Sequence, residues 1–109
     1  MNGVGVDIVR LDRIDPDNES FARKILSDAE YECFSSIHGY KRKREYLGGR
    51  FAAKEAYLKA HRLGLGGMNF HDIIVLNRED GSPFLNDEKA CISISHEDDY
   101  AIAFVVINS

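Results

Sequence analysis

The residues best suited to chemistry fall in separated stretches of the chain. Asp7 places a carboxylate inside an otherwise apolar run, between Val6 and Ile8. An acid buried there without a partner would cost several kcal/mol, so Asp7 must meet a cation, a cluster of donors or water at a strand end. A structural role, bonded to nearby backbone or paired with Arg10 or Arg13, and a functional role both satisfy that demand. Residues 50–60 carry Arg50, Lys54, Glu55 and Lys59 on an alanine-rich background. Glu55 and Lys59 stand four apart, a spacing that pairs them on a helix. The cations outnumber the acid, however. Such a surplus is either a solvated face or a seat for phosphate groups, with Lys as a point charge and Arg as a bidentate fork.

Three further segments carry weaker signals. Ser93 and Ser95 share one strand face and His96 follows next to a turn. The side chains of Ser95 and His96 diverge and no G-x-S-x-G elbow is present, which argues against a Ser-His nucleophile pair. His96 reads as an edge-of-sheet histidine or as a donor to a phosphate or ribose. Gly81-Ser82-Pro83 reads as a turn or as a ligand-contacting loop. Lys41-Arg42-Lys43-Arg44 is the most basic run, either an exposed helix start or a nucleic-acid patch, but it lacks interleaved aromatic residues. Neither a Walker loop nor a dinucleotide fingerprint occurs.

Composition bounds these readings. The 109 residues hold 14 Lys plus Arg against 18 Asp plus Glu, a net charge of −4 with 44% hydrophobic residues. These figures predict one globular domain over 1–109, with a core large enough to need no metal or disulfide staple. An acidic balance disfavours a broad nucleic-acid coat or an anionic-membrane binder. The charge is unevenly spread: residues 41–62 carry a local +6 and the rest carries −10. Cys33 and Cys91 lie far apart in no metal-ligand spacing, and no apolar run approaches a membrane helix or a signal peptide. A soluble, cytoplasmic protein is expected, with no nucleic acid or membrane as partner.

The elements that must position these residues follow from periodicity. Residues 3–9 read as a strand with Val4, Val6 and Ile8 on one face and Asp7 on the other. Asp15-Pro16-Asp17-Asn18 turns into a helix whose Phe21, Ala22 and Ile25 face inward, and Ser27-Asp28-Ala29-Glu30 is a capping box opening a second helix through Phe34. A long helix is expected over about 41–61. Its small residues Gly48, Ala52, Ala56 and Ala60 form a line along which another backbone can approach closely. Gly64, Gly66 and Gly67 should end it. Strands follow over 73–76, 90–95 and 100–107, the last two paired as a hairpin. The final strand is apolar on both faces, which predicts a central strand covered on each side. The sum is an α+β class.

Three of these segments together resemble the holo-(acyl-carrier-protein) synthases of the 4′-phosphopantetheinyl transferase superfamily: Gly3-Val4-Gly5-Val6-Asp7-Ile8-Val9, then Gly49-Arg50-Phe51-Ala52-Ala53-Lys54-Glu55-Ala56-Tyr57-Leu58-Lys59-Ala60, then Ser93-Ile94-Ser95-His96. The likeness runs nearly end to end. It implies helices packed on a mainly antiparallel sheet, a homotrimer with active sites between subunits, and transfer of the phosphopantetheine arm of coenzyme A to a serine of apo acyl carrier protein. It implies Asp7, Glu55 and Lys59 as the catalytic set, with Asp7 and Glu55 as ligands of Mg²⁺. Arg42, Arg50, Lys54, Lys59, Gly64, Gly81, Pro83 and His96 are implied as coenzyme A contacts. The carrier protein, being acidic, is expected to dock on Arg10, Arg13, Arg23 and Lys24 with Phe21 as an apolar anchor.

The chain departs from the family pattern in places. Arg62 stands where relatives commonly have Gly, and Glu97 follows His96 where Thr or Ser is usual. Asp15, Asp17 and Glu19 lie in a carrier-docking segment that is typically basic. A non-enzymatic binding module on the same scaffold is the competing reading, and a nucleic-acid domain built on residues 41–44 is a weaker one.

Overall fold

The computed structural model describes residues 2–62 and 67–108. Strand β1 (Gly3–Arg10) leads through a 3₁₀ turn (Leu11–Arg13) to helices α1 (Glu19–Ile25), α2 (Asp28–Ser35) and α3 (Tyr40–Ala60). A second 3₁₀ turn (Phe70–Asp72) precedes strands β2 (Val75–Asn77), β3 (Pro83–Leu85), β4 (Ala90–His96) and β5 (Tyr100–Ile107). The α+β class is as expected. Two antiparallel sheets form: β1-β5-β4 with β5 in the centre, and the pair β2-β3. The hairpin between β4 and β5 closes through the Glu97 amide donating to the Tyr100 carbonyl at 2.8 Å. The strand expected over 73–76 starts later, at Val75, because Ile73 ends the 3₁₀ turn. Its partner β3 was not foreseen, since a three-residue strand has no measurable period.

Local chemistry explains the helix boundaries. The Asn18 side chain accepts from the Phe21 amide and caps α1. Ser27 and Glu30 form the full capping box of α2, each side chain accepting from the other residue's backbone amide. Ala22 and Ile25 turn inward as expected, while Phe21 is half-buried against Phe51 with ring centroids 5.9 Å apart.

The small-residue line on α3 is the floor on which β1 rests. A Cβ at Gly5 would lie 2.0 Å from the Ala56 carbonyl oxygen, and one at Gly3 would lie 2.0 Å from that of Ala60. No side chain fits in either place, so glycine on the strand and alanine on the helix are two halves of one contact. Gly48 makes room in the same way for Leu11, whose Cδ2 would lie 2.5 Å from an added Cβ. This close packing offsets the helix-propensity penalty of glycine, on the order of 1 kcal/mol per residue.

The alternation in β1 and β5 has a different meaning from the one expected for the final strand. Ala101, Ala103, Val105 and Ile107 are buried beneath α3, with Gly5 beside them. Val4, Val6, Ile8, Ile102 and Phe104 are exposed on the opposite face, Val4 by 61% and Phe104 by 44%. The prediction of cover on both sides of β5 therefore fails within one chain, because α3 covers one face of the sheet and α1 and α2 pack against α3.

Candidate active site

Asp7 projects from β1 on the face that carries Gly3 and Gly5, beside the last turns of α3. Lys59 Nζ reaches back to it, donating to Asp7 Oδ1 at 2.9 Å and to the Val6 carbonyl at 3.2 Å. This resolves the alternatives left by the sequence: Asp7 pairs with neither Arg10 nor Arg13, and Lys59 spends its charge on Asp7 instead of forming the ion pair with Glu55. Glu55 is partly buried one turn before Lys59. Burial and the nearby Asp7 carboxylate push its carboxyl above the ordinary range, with Lys59 opposing. Two carboxylates and one ammonium thus share a small space at the β1 edge.

A second cluster lies across the sheet. Arg42, Arg50, Gly81, Pro83 and His96, all expected at one ligand, line a single cavity of about 280 Å³. Gly81 takes φ of +90°, a left-handed turn that glycine adopts without strain, and its carbonyl accepts from Asn77 Nδ2 at 2.7 Å. The turn is thereby fixed against the pocket wall. Arg50 is buried, stacks 4.2 Å over the Tyr46 ring and donates to Asn77 Oδ1. Burial pushes the Tyr46 hydroxyl up to about 12, with Arg50 opposing, so it remains a neutral donor to the Glu30 carbonyl. Arg50 Nε is buried with no hydrogen-bond partner among the described residues.

The sequence reading missed Glu45, Tyr46, Gly49, Asn77 and Ile94 on the same wall. The helical part had a signal: Arg42, Glu45, Tyr46, Gly49 and Arg50 fall at i, i+3, i+4, i+7 and i+8, one face of α3. Asn77 and Ile94 come from distant strands and had none.

Lys54 requires a correction. Expected at a phosphate, it is instead fully buried, its Nζ donating to Glu30 Oε1 at 2.5 Å and to the carbonyls of Ile25 at 2.6 Å and Phe70 at 2.9 Å. All three ammonium protons are used, so none is left for a ligand. Glu30 completes the cluster by accepting from the amides of Ser27 and Val75, each at 2.8 Å. Burial pulls the Lys54 pKa below the ordinary lysine value and Glu30 opposes it.

Arg10, Arg13, Arg23 and Lys24 are exposed, on and just before α1 or at the end of β1. Arg10 pairs with Asp12 at 3.0 Å, and Arg23 stacks 3.7 Å from the Tyr31 ring centroid while approaching Glu19 at 3.5 Å. Gly64 lies outside the described residues. Arg62 adopts φ of +59°, the left-handed backbone that favours glycine. No helix is long and apolar enough to cross a membrane among the described residues.

A helix-backed antiparallel sheet with an acid pair at one edge and a cationic cavity at the other defines a class already known. Residues 3–105 match the family model of the 4′-phosphopantetheinyl transferase superfamily, and the chain belongs to that superfamily. Within it, relatives that match nearly the whole chain include holo-[acyl-carrier-protein] synthases. That of Geobacillus sp. (strain WCH70) is 47% identical, covering 96% of this chain and 94% of its own. That of Anoxybacillus flavithermus is 44% identical, covering 96% and 93%. Among solved structures, the Bacillus anthracis holo-(acyl-carrier-protein) synthase in complex with CoA (3′,5′-ADP) superposes with a TM-score of 0.90 at 40% identity, over 98% of this chain and 96% of that one. The Neisseria meningitidis enzyme gives 0.85 at 32% identity over 98% of each chain.

Proposed function

We propose that this chain transfers the 4′-phosphopantetheine arm of coenzyme A to a serine of an apo acyl carrier protein, releasing adenosine 3′,5′-bisphosphate. The observation that carries the proposal is the convergence of Arg42, Arg50 and His96 on one cavity, with the orphaned Arg50 Nε, in a chain whose full-length relatives are holo-[acyl-carrier-protein] synthases. A buried guanidinium nitrogen without an acceptor fits an anionic ligand.

The reaction joins the serine oxygen to the phosphorus that bears the pantetheine arm and breaks that phosphorus's bond to the bridging oxygen of the pyrophosphate. The serine proton passes to Glu55 or to water and negative charge builds on the departing phosphate, so positioning and electrostatics carry most of the catalysis. Asp7 and Glu55 suit a hard divalent cation: two carboxylates lie close enough for one to raise the other's pKa, and their oxygens are the donors Mg²⁺ prefers alongside phosphate and water. When bound there, Mg²⁺ supplies charge neutralisation at the pyrophosphate. Lys59 holds Asp7 in place and adds a second positive charge to the same space. Arg42, Arg50 and His96, with the turn at Gly81 and Pro83, hold the nucleotide phosphates. Arg10, Arg13, Arg23, Lys24 and the half-buried Phe21 dock the carrier protein.

The protein acts as a homotrimer of one transferase domain, residues 1–109, in the cytoplasm. Two observations support the trimer. The acid pair flanks β1 and the cationic cavity flanks β4, opposite edges of a three-stranded sheet about 10 Å across with α3 over it. A ligand meeting both does so most directly when one copy's cavity faces another copy's carboxylates. The bare apolar face of Val4, Val6, Ile8, Ile102 and Phe104 supplies the surface that joins the copies.

The test is to combine the protein with coenzyme A, Mg²⁺ and apo carrier protein and weigh the product. A carrier protein heavier by the phosphopantetheine arm is expected. No mass shift, with the carrier modified by a control enzyme, would reject transferase activity in favour of a binding module.

A further inference from the structure

Glu45 is an anomaly in a cavity lined by Arg42 and Arg50. It is an acid one helical turn from Arg42, its side chain only 16% exposed, in a place where negative charge opposes the binding of an anion. Its Oε2 lies 3.3 Å from His96 Nδ1. The two residues come from different elements, α3 and the end of β4, so no local preference pairs them.

The strand period explains how they meet. His96 shares the face of Ile92 and Ile94, toward α3, whereas Ser93 and Ser95 face away. The ring therefore stands at the cavity rim with Nδ1 turned to Glu45, leaving Nε2 as the nitrogen available to a ligand. We infer that Glu45 is a positioning residue: its carboxylate, at ion-pair distance from Nδ1, fixes the ring's orientation and leaves Nε2 facing the cavity, toward a nucleotide phosphate. The arrangement matches the way carboxylates orient metal-bound and catalytic histidines. With a phosphate bound, the ring stands between the anion and the Glu45 carboxylate. Arg42 and Arg50 from α3 hold the same anion, and the neutral Tyr46 hydroxyl is directed away to Glu30. The net action of Glu45 on an anion thus has two opposed parts: direct repulsion, and assistance through His96.

This inference rests on the reading that the cavity receives coenzyme A phosphates, and opposed signs make it testable apart from that reading. Adenosine 3′,5′-bisphosphate is titrated into wild type, Glu45→Gln, His96→Gln and the double variant by calorimetry, with folding checked by thermal melting. Glu45→Gln should weaken binding about tenfold, as the charged contact that anchors the ring is lost. In the His96→Gln background the same substitution should cause no further loss and can tighten binding, since only repulsion remains. The His96 imidazole ¹⁵N resonances should shift between wild type and Glu45→Gln, as the charged contact at Nδ1 is removed. Unchanged or tighter binding by Glu45→Gln alone, or equal losses in both backgrounds, would overturn the role assigned to Glu45. Absence of binding by wild type would instead reject the phosphate pocket, and this role with it.

Discussion

Replacing Lys54 with Met separates the structural from the ligand-binding account of the most buried cation. The substitution keeps the length and apolar stem of the side chain but leaves the Glu30 carboxylate without its ammonium and the Ile25 and Phe70 carbonyls without a donor. Removing one partner of a buried ion pair typically costs 3–5 kcal/mol, roughly, because the remaining charge is stranded. Glu30 keeps two backbone donors, from Ser27 and Val75, which places the expected loss near the lower half of that range, about 3–4 kcal/mol. Against a total stability of roughly 5–15 kcal/mol, that lowers the melting temperature by on the order of 15–25 °C. The assay is urea unfolding of wild type, Lys54→Met, Glu30→Gln and the double variant at one protomer concentration, since oligomer stability depends on concentration. The double variant should lose less than the two single losses added together, by at least about 1 kcal/mol. Folded Lys54→Met should bind adenosine 3′,5′-bisphosphate within about twofold of wild type. A loss below about 1 kcal/mol together with a marked drop in nucleotide affinity would refute the structural account and restore Lys54 to the phosphate site.

Gly5→Ala should destabilise at least as severely, since its Cβ would lie 2.0 Å from the Ala56 carbonyl oxygen on two rigid elements; recovery of a soluble variant with unchanged melting temperature would contradict the packing described. Phe104→Asp, on the bare sheet face, should yield monomers by sedimentation and abolish transfer, whereas a full-size active assembly would remove that face from the interface. Tyr57 donates to Asp87 Oδ2 at 2.7 Å, and this bond is the leading cause that holds the Asp87 carboxyl below its ordinary value. Because the folded-state pKa is depressed, the stabilisation is present above the unfolded value of about 4 and fades as pH falls through the folded one. Tyr57→Phe should therefore cost about 1 kcal/mol near neutrality and less in acid, so a loss that grows on acidification would reverse the sign. Glu55→Gln should leave melting intact while removing Mg²⁺-dependent transfer; unchanged turnover would sink the metal assignment.

Much of the fold was legible because it is local. The Asn18 and Ser27 side chains cap the amides of Phe21 and Glu30, only three residues on, and the alternation and hairpin of the last two strands are short-range patterns. The spacing of Gly48, Ala52, Ala56 and Ala60 announced a close backbone approach, though not that Gly3 and Gly5 would make it. The cavity was legible on α3, where helical spacing gathers side chains, and illegible at Asn77 and Ile94, which arrive from strands far along the chain.

Lys54 and Lys59 mark the boundary most clearly. They are the same residue type on the same helix, five positions apart, and a sequence can assign both to phosphates with equal reason. Five residues rotate an α-helix by about 140° past a full turn, which sends one ammonium into the core and the other to the β1 edge. What waits there, Glu30 from α2 in one case and Asp7 from β1 in the other, is brought by distant parts of the chain. By itself the sequence determined the helices and the longer strands, the concentration of positive charge on the long helix and the motifs that carry the family. Tertiary structure alone decided which charges are spent inside the protein and which remain for a ligand, because a side chain's partner in three dimensions depends on packing that no local pattern encodes.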